Sequence, residues 1–260
     1  MDLDLKDKVV LITGGASGIG AAIVRAVIRE AAAAVIVDRS AELANDLQTE
    51  LQAGEGRVHV IAGDLTAAEN CKKAVDQTLQ HFGRLDALVN NAGVNDRVGL
   101  ERGNPADYVA SLERNLLHYY NMAHYALPAL KESRGSVVNI ASKTAITGQG
   151  DTSGYASAKG AILALTREWA VELAPYGVRS NAVVPAEVMT PLYRSWLQTF
   201  PNPEEKLAGI VSRIPLGKRM TTPDEIASMV TFLISGKASH ITGQHLVVDG
   251  GYVHLDRAMP

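Results

Sequence analysis

Seven short apolar runs, each parted from the next by a stretch with helical spacing, constrain this chain more than any other feature. They are VVLIT (9–13), AVIVD (34–38), VHVIAGD (58–64), LDALVNNAG (85–93), SVVNIAS (136–142), VRSNAVVPA (178–186) and HLVVDGG (245–251). Runs this short and this rich in Val, Ile and Leu read as strands buried on both faces. Segments 19–30, 41–53, 67–82 and 105–131 repeat their apolar positions at helical intervals. Alternation of strand and helix implies right-handed crossovers between parallel strands. The expectation is an α/β, single-domain, Rossmann-type fold over residues 1–260: a doubly wound, parallel, seven-stranded sheet with helices on both faces.

Composition narrows the function classes. Apolar residues make up 47% of the chain and aromatics only 5%, which suits a large aliphatic core. A formal net charge of -3, with no basic run, argues against nucleic acid and against an anionic membrane surface. No apolar run approaches the roughly 18 residues of a membrane span, and the opening MDLDLKDKVV lacks a signal-peptide core. Cys71 stands alone, so no intrachain disulfide can form. These readings place the protein in the cytoplasm. No metal site is expected: His118 and His124, six residues apart, read as helix-surface or interface residues.

Ligands of doubly wound sheets bind outside the carboxyl ends of the strands. The first strand runs straight into TGGASGIG (13–20), which opens a helix. Gly14, Gly18 and Gly20, with Ser17 and Ile19 between them, permit a tight turn and close backbone approach of a pyrophosphate to a helix N-terminus. The spacing is T-G-x-x-x-G-x-G, and a tight turn alone is the alternative. Asp38 closes the second strand, placed to accept hydrogen bonds from an adenosine ribose and to repel a 2′-phosphate, so NAD is favoured over NADP. Arg39 could turn toward a 2′-phosphate and reverse that choice. Asp38 could equally cap the helix that follows, although Ser40 could do so instead. Asp64, followed by Leu65, divides between adenine contact and turn chemistry.

The stretch SGYASAKGA (153–161) sets Tyr155 four places before Lys159 with only small residues between. Tyrosine, with a pKa of roughly 10, is a poor base at neutral pH until a cation favours its phenolate. A lysine at i+4 lies on the same helix face.

With the glycine loop, NNAG (90–93), Asn115, Ser142 and Tyr155-x-x-x-Lys159, the chain resembles the short-chain dehydrogenase/reductase family from Lys8 to about Tyr252. The resemblance implies that Tyr155 is the general acid/base and that Lys159 holds the nicotinamide ribose and lowers the phenol's pKa. It implies that Ser142 hydrogen-bonds the reacting oxygen and that Asn115 holds a relay water near Lys159. Asn115 as a mid-helix amide at a backbone kink is the alternative. Asn91, Ala92 and Gly93 would line the adenosine side, or simply turn the chain. Pro185, Val188 and Thr190, in PAEVMT (185–190), would bind the cofactor, with Val188 and Thr190 at the nicotinamide carboxamide. Here Ala186 stands where the family commonly has glycine, and it alters the pocket wall.

For the substrate, the polar loop residues are the candidates: Asn95, Asp96 and Arg97; Lys143, Gln149, Asp151, Thr152 and Ser153; and Glu187. A lid over 190–215 adds Tyr193, Trp196 and Phe200. Acceptors beside an aromatic face suit a sugar better than an acyl chain, and solvated loop residues are the alternative. GQGDTSGYASAKGA, PAEVMTPLYRSW and the tail GGYVHLDRAMP also resemble sugar-oxidising members of the family, L-fucose dehydrogenases above all, which act at the anomeric carbon to give a lactone. His254 or Arg257 of the tail could reach a neighbouring subunit, or the tail could be a frayed end. Family members pair two helices across a two-fold axis, so Leu116, Leu117, Ala126, Leu127, Ile162, Leu163, Leu165 and Trp169 point to a homotetramer, though sheet-facing helices carry the same stripe. A 3-oxoacyl or other carbonyl reductase is the rival within the family, and a non-catalytic dinucleotide sensor the rival outside enzymology.

Overall fold

A computed structural model describes residues 2–255. Seven strands form one sheet: β1 (Val9–Thr13), β2 (Ala33–Asp38), β3 (Val58–Ala62), β4 (Ala87–Asn90), β5 (Ser136–Ile140), β6 (Arg179–Pro185) and β7 (His245–Val248). The order is β3-β2-β1-β4-β5-β6-β7, and every pairing is parallel. The chain leaves β1 for one edge and returns beyond it at β4, so connections diverge at the carboxyl ends of these two strands and open a crevice there.

Strand alternation divides the core. Val10 and Ile12 pack on one face, against α1 (Gly18–Arg29) and α9 (Pro223–Ile234), through Ile23, Val27, Ile226 and Val230. Val9 and Leu11 pack on the other, with α3 (Ala68–Phe82), α5 (His118–Ser133) and α6 (Ser153–Leu173). Each such aliphatic side chain, fully buried, contributes roughly 1.5–3 kcal/mol. The helix α2 (Ala41–Gln52) flanks β2 and β3. Sequence capping sets the helix starts: in α9, Thr222 and Glu225 form a reciprocal capping box ahead of Pro223.

Four expectations need correction. Segments 58–64, 85–93 and 245–251 leave the sheet early. The Asn91 and Ala92 amides donate to the Thr13 hydroxyl at 2.9 and 3.1 Å instead of a strand ladder. Asp249 gathers the Gly251 and Val253 amides into a turn. Residues 105–131 are not one regular helix: α4 (Pro105–Leu112) and α5 are joined by a π-helical turn, Glu113–Leu117. Asn115 stands within it and donates through Nδ2 to the Ser111 carbonyl at 3.0 Å, supplying a side-chain partner where the regular ladder widens. Of the proposed interface stripe, Ala126, Ile162, Leu163 and Trp169 face the core, while Leu117 is 48% exposed. His118 is buried rather than on the helix surface; His124 is exposed.

Segment 190–215 contains α7 (Pro191–Leu197) and α8 (Pro203–Val211), started by Thr190 and Asn202 side chains that accept from Tyr193 and Glu205 amides. Among the described residues no helix is long and apolar enough to cross a membrane, and no group of three or more His, Cys, Asp or Glu could hold a metal ion. His254 lies in the final turn; Arg257 lies outside the described residues.

Candidate active site

A cleft of about 740 Å³ opens at the carboxyl ends of the central strands. It gathers Gly14, Ser17, Gly18 and Ile19 from the loop after β1, then Asp38, Arg39, Asp64 and Leu65 from the ends of β2 and β3. From β4 onward come Asn91, Ala92, Gly93 and Asn95, then Ser142, Tyr155, Lys159, Pro185, Val188, Thr190 and Tyr193. Residues scattered over 180 positions thus share one wall because each follows a parallel strand.

The glycine loop is a fitted cradle. Gly14 has a φ of +62°, and a Cβ there would stand 2.9 Å from the Ala92 Cα. A Cβ on Gly20 would stand 2.0 Å from the Gly14 carbonyl oxygen, which no side-chain shift can relieve. Asn91 rivets the loop from below, donating Nδ2 to the Thr13 and Gly14 carbonyls at 2.9 and 3.0 Å. Ser17 makes no side-chain cap on α1, so the first-turn amides are left for an anion. Asp38 accepts from the Ala16 and Ser40 amides, both at 3.0 Å, and so fixes the loop while keeping its carboxylate on the cleft. Ser40, not Asp38, is the helix N-cap residue. Arg39 makes no ion pair among the described residues. Thr66 holds the Asp64 carboxyl below its ordinary value through amide and hydroxyl bonds, both 2.9 Å. These groups fit a dinucleotide: bare backbone at the pyrophosphate, carboxylates at the adenosine end, a hydroxyl, phenol and ammonium at the other.

That far end is built from β5 and α6. Ser142 caps the short turn after β5, accepting from the Thr144 amide at 3.2 Å, and its hydroxyl donates toward the Tyr155 phenol. Burial nevertheless pushes the phenol up to about 12, and the Asp96 carboxylate pushes the same way. Lys159 is 2% exposed, and burial pushes its ammonium down to about 7. Its Nζ lies 5.5 Å from the Tyr155 ring centroid and donates instead to the Tyr119 hydroxyl at 2.9 Å and the Ile140 carbonyl at 2.8 Å. Burial is the largest influence on the phenol. Asn115 accepts from the Val94 amide at 2.7 Å and donates to Ser111, so both ends of its amide are engaged. It is the kink amide of the alternative reading as much as a partner of the cleft.

The substrate candidates separate. Asn95 and Tyr193 line the cleft; Gln149 is exposed outside its lining. Lys143 and Glu187 are buried behind it as an ion pair, and the Tyr193 hydroxyl donates to Glu187 at 2.7 Å. Trp196 stacks edge-on between Tyr193 and Phe200 instead of facing the cleft. Asp96 accepts from the Ser111 hydroxyl at 2.9 Å and from Arg114 at 2.7 Å. Sequence reasoning missed Glu113, Arg114, His118 and Leu192, all on the cleft. Glu113 and Arg114 lie in the π-helical turn, which has no periodic signature, and His118 follows it directly. Burial, with Lys159 adding to it, drives the His118 imidazole down to about 4, and its Nδ1 has no partner among the described residues.

Fold and cleft together define the class: an NAD(P)-dependent oxidoreductase. A family profile described as enoyl-(acyl carrier protein) reductase matches residues 14–253. The L-fucose dehydrogenase of Bos taurus is 38% identical over 245 residues, 94% of this chain and 88% of that protein. The 3-oxoacyl-[acyl-carrier-protein] reductase of Thermotoga maritima is 36% identical over 250 residues, 96% of this chain and 99% of the other. Among solved structures, Cj0485 dehydrogenase superposes with a TM-score of 0.96 at 49% identity, covering 100% of this chain and 99% of that one. This chain belongs to the short-chain dehydrogenase/reductase family.

Proposed function

We propose that the protein oxidises a small polyhydroxylated substrate, an aldose at its anomeric carbon to give a lactone, with L-fucose or a close relative the best candidate. The observation that carries this reading is the state of the charges at the substrate end. Asp96 with Arg114, and Lys143 with Glu187, are paired with each other. Beside these pairs, Asn95, Tyr193 and the Ser142 and Tyr155 hydroxyls line the cleft as neutral hydrogen-bonding groups, together with Glu113 and the Lys159 ammonium. Such a wall, with hydrogen-bonding groups standing together, suits the hydroxyls of a small polar substrate. The bovine L-fucose dehydrogenase supports the sugar; the Thermotoga reductase supports acyl-carrier substrates as the second reading.

A bound nicotinamide dinucleotide supplies the two-electron acceptor. Ser142 orients the substrate hydroxyl, Tyr155 takes its proton as general base, and Lys159 holds positive charge beside the resulting phenolate. Asp38 favours NAD through repulsion of a 2′-phosphate, with Arg39 the group that would admit NADP. Residues 190–215 act as the lid, and the assembly is a homotetramer in the cytoplasm. Initial-rate cofactor reduction over a panel of aldoses and polyols, with NAD and NADP in parallel, tests the reading. Turnover confined to L-fucose and its stereochemical relatives is expected; silence there with reduction of 3-oxoacyl substrates would replace it by the second reading.

A further inference from the structure

Lys159 carries a buried charge with no carboxylate to meet it. No Asp or Glu forms an ion pair with its Nζ among the described residues, and the side chain is 2% exposed. Two neutral dipoles stand in: the Ile140 carbonyl at 2.8 Å and the Tyr119 hydroxyl at 2.9 Å. Tyr119, at the start of α5 and 40 residues from Lys159, is itself 0% exposed. A phenol buried to that degree requires a partner for its hydroxyl. It donates to the same Ile140 carbonyl at 2.9 Å, which turns its oxygen lone pair toward Nζ. Nζ also lies 4.9 Å from the Tyr119 ring centroid.

We propose that Tyr119 is a positioning residue for the Lys159 ammonium. The inference rests on the reading of Tyr155 and Lys159 as the proton-transfer pair. The Tyr119 hydroxyl, Nζ and the Ile140 carbonyl close a triangle that fixes two of the three ammonium protons. Lys159 lines the cleft, so its remaining proton is the one available to a ligand there. Without the Tyr119 hydroxyl one anchor is left, the ammonium can turn about it, and its charge loses the only side-chain acceptor it has among the described residues. Hydrogen bonds to a charged group are the stronger kind, so this loss is felt by the charged form above all.

The charged and titratable groups around Nζ come from several elements. Tyr155 lies on the same helix; Tyr119 and His118 come from α5, with Asn115 in the π-helical turn before it. Asp96 acts on Tyr155 from the loop after β4, and Asp64 acts on His118 from the end of β3. In the oxidising direction Tyr155 must lose its proton, and a fixed neighbouring cation favours that loss. A loosened or neutralised Lys159 therefore moves the acid limb of the pH profile upward.

Tyr119→Phe keeps the ring in the core and removes only the hydroxyl; the Ile140 carbonyl keeps its bond from Lys159. The test measures kcat/KM against pH with the best substrate of the panel, NADH affinity by fluorescence titration, and thermal melting. The expected result is an acid limb raised by about one pH unit and NADH binding weakened several-fold. At pH 7, kcat falls about tenfold, with substrate KM nearly unchanged. An unmoved limb and unchanged NADH affinity, whatever happens to melting, would overturn the proposal, because a purely structural tyrosine moves melting alone. Tyr155→Phe is run beside it. Loss of turnover there with an unmoved limb in Tyr119→Phe refutes this inference only; substantial turnover in Tyr155→Phe refutes the underlying reading as well.

Discussion

Glu187→Gln should destabilise the protein by about 3–5 kcal/mol, because it strands a buried ammonium. Lys143 and Glu187 are 8% and 9% exposed and form an ion pair, with the Tyr193 hydroxyl on the second carboxylate oxygen and the Tyr252 ring 4.4 Å below the Lys143 Nζ. Glutamine keeps the shape and can still accept from Tyr193, so packing is conserved and charge alone is removed. An exposed pair contributes only about 0–1 kcal/mol, and burial is what raises the cost here. For a chain of this size 1 kcal/mol corresponds to roughly 2–4 °C in Tm, so a fall of about 10 °C is expected. Urea denaturation at fixed protein concentration gives the free energy directly. The double variant Lys143→Met/Glu187→Leu should recover most of the loss, since neither charge is left unpaired. A loss below about 1 kcal/mol in Glu187→Gln, or a double variant no better than the single one, would refute the argument that this pair is desolvated.

Four further expectations are independent of that pair. Tyr155→Phe should lower turnover by about 10²–10⁴-fold while NADH still binds, as fluorescence titration would register. Gly20→Ala should abolish dinucleotide binding in the same titration, since its Cβ would overlap the Gly14 carbonyl oxygen at 2.0 Å. Asp38→Asn should shift the NADP:NAD ratio of kcat/KM toward NADP by about tenfold or more, equivalent to about 1.4 kcal/mol of removed repulsion. Asp86 is the pH probe: burial alone would raise its pKa, but Arg84, the Val9 amide and Lys8 hold it below the usual carboxylate range. A depressed folded pKa gives stability present above the unfolded value of about 3.9 and lost as pH falls through the folded one. Asp86→Asn should therefore lower Tm at pH 7, and its difference from the parent protein should shrink as pH falls below the unfolded value of about 3.9.

Much of the fold and part of the site were legible in the chain because they are local. Strand number and parallel pairing follow from alternating buried runs and helices, and the glycine loop is read from one strand-turn-helix segment. Tyr155 and Lys159 fall on one face because they are one helical turn apart. Each of these depends on neighbours within about twenty residues, which is the range over which periodicity and turn chemistry operate.

What escaped the sequence depends on contacts between distant segments. The sequence marks Lys143 and Glu187 as polar, and only folding, which brings them together across 44 positions, makes them partners instead of pocket lining. Nothing local singles out Tyr119, and only the sheet brings Ile140 and Lys159 to its hydroxyl. Asn115 reads as a mid-helix amide until the Val94 amide reaches it across 21 positions. A side chain's type fixes how many hydrogen bonds it can make; which atoms meet it depends on the packing of elements that no local pattern relates. The sequence by itself therefore determined the scaffold, the glycine loop after β1 and the helix face shared by Tyr155 and Lys159. The tertiary structure decided which charges are paired with one another, which phenol holds the lysine, and which groups are left to meet a substrate.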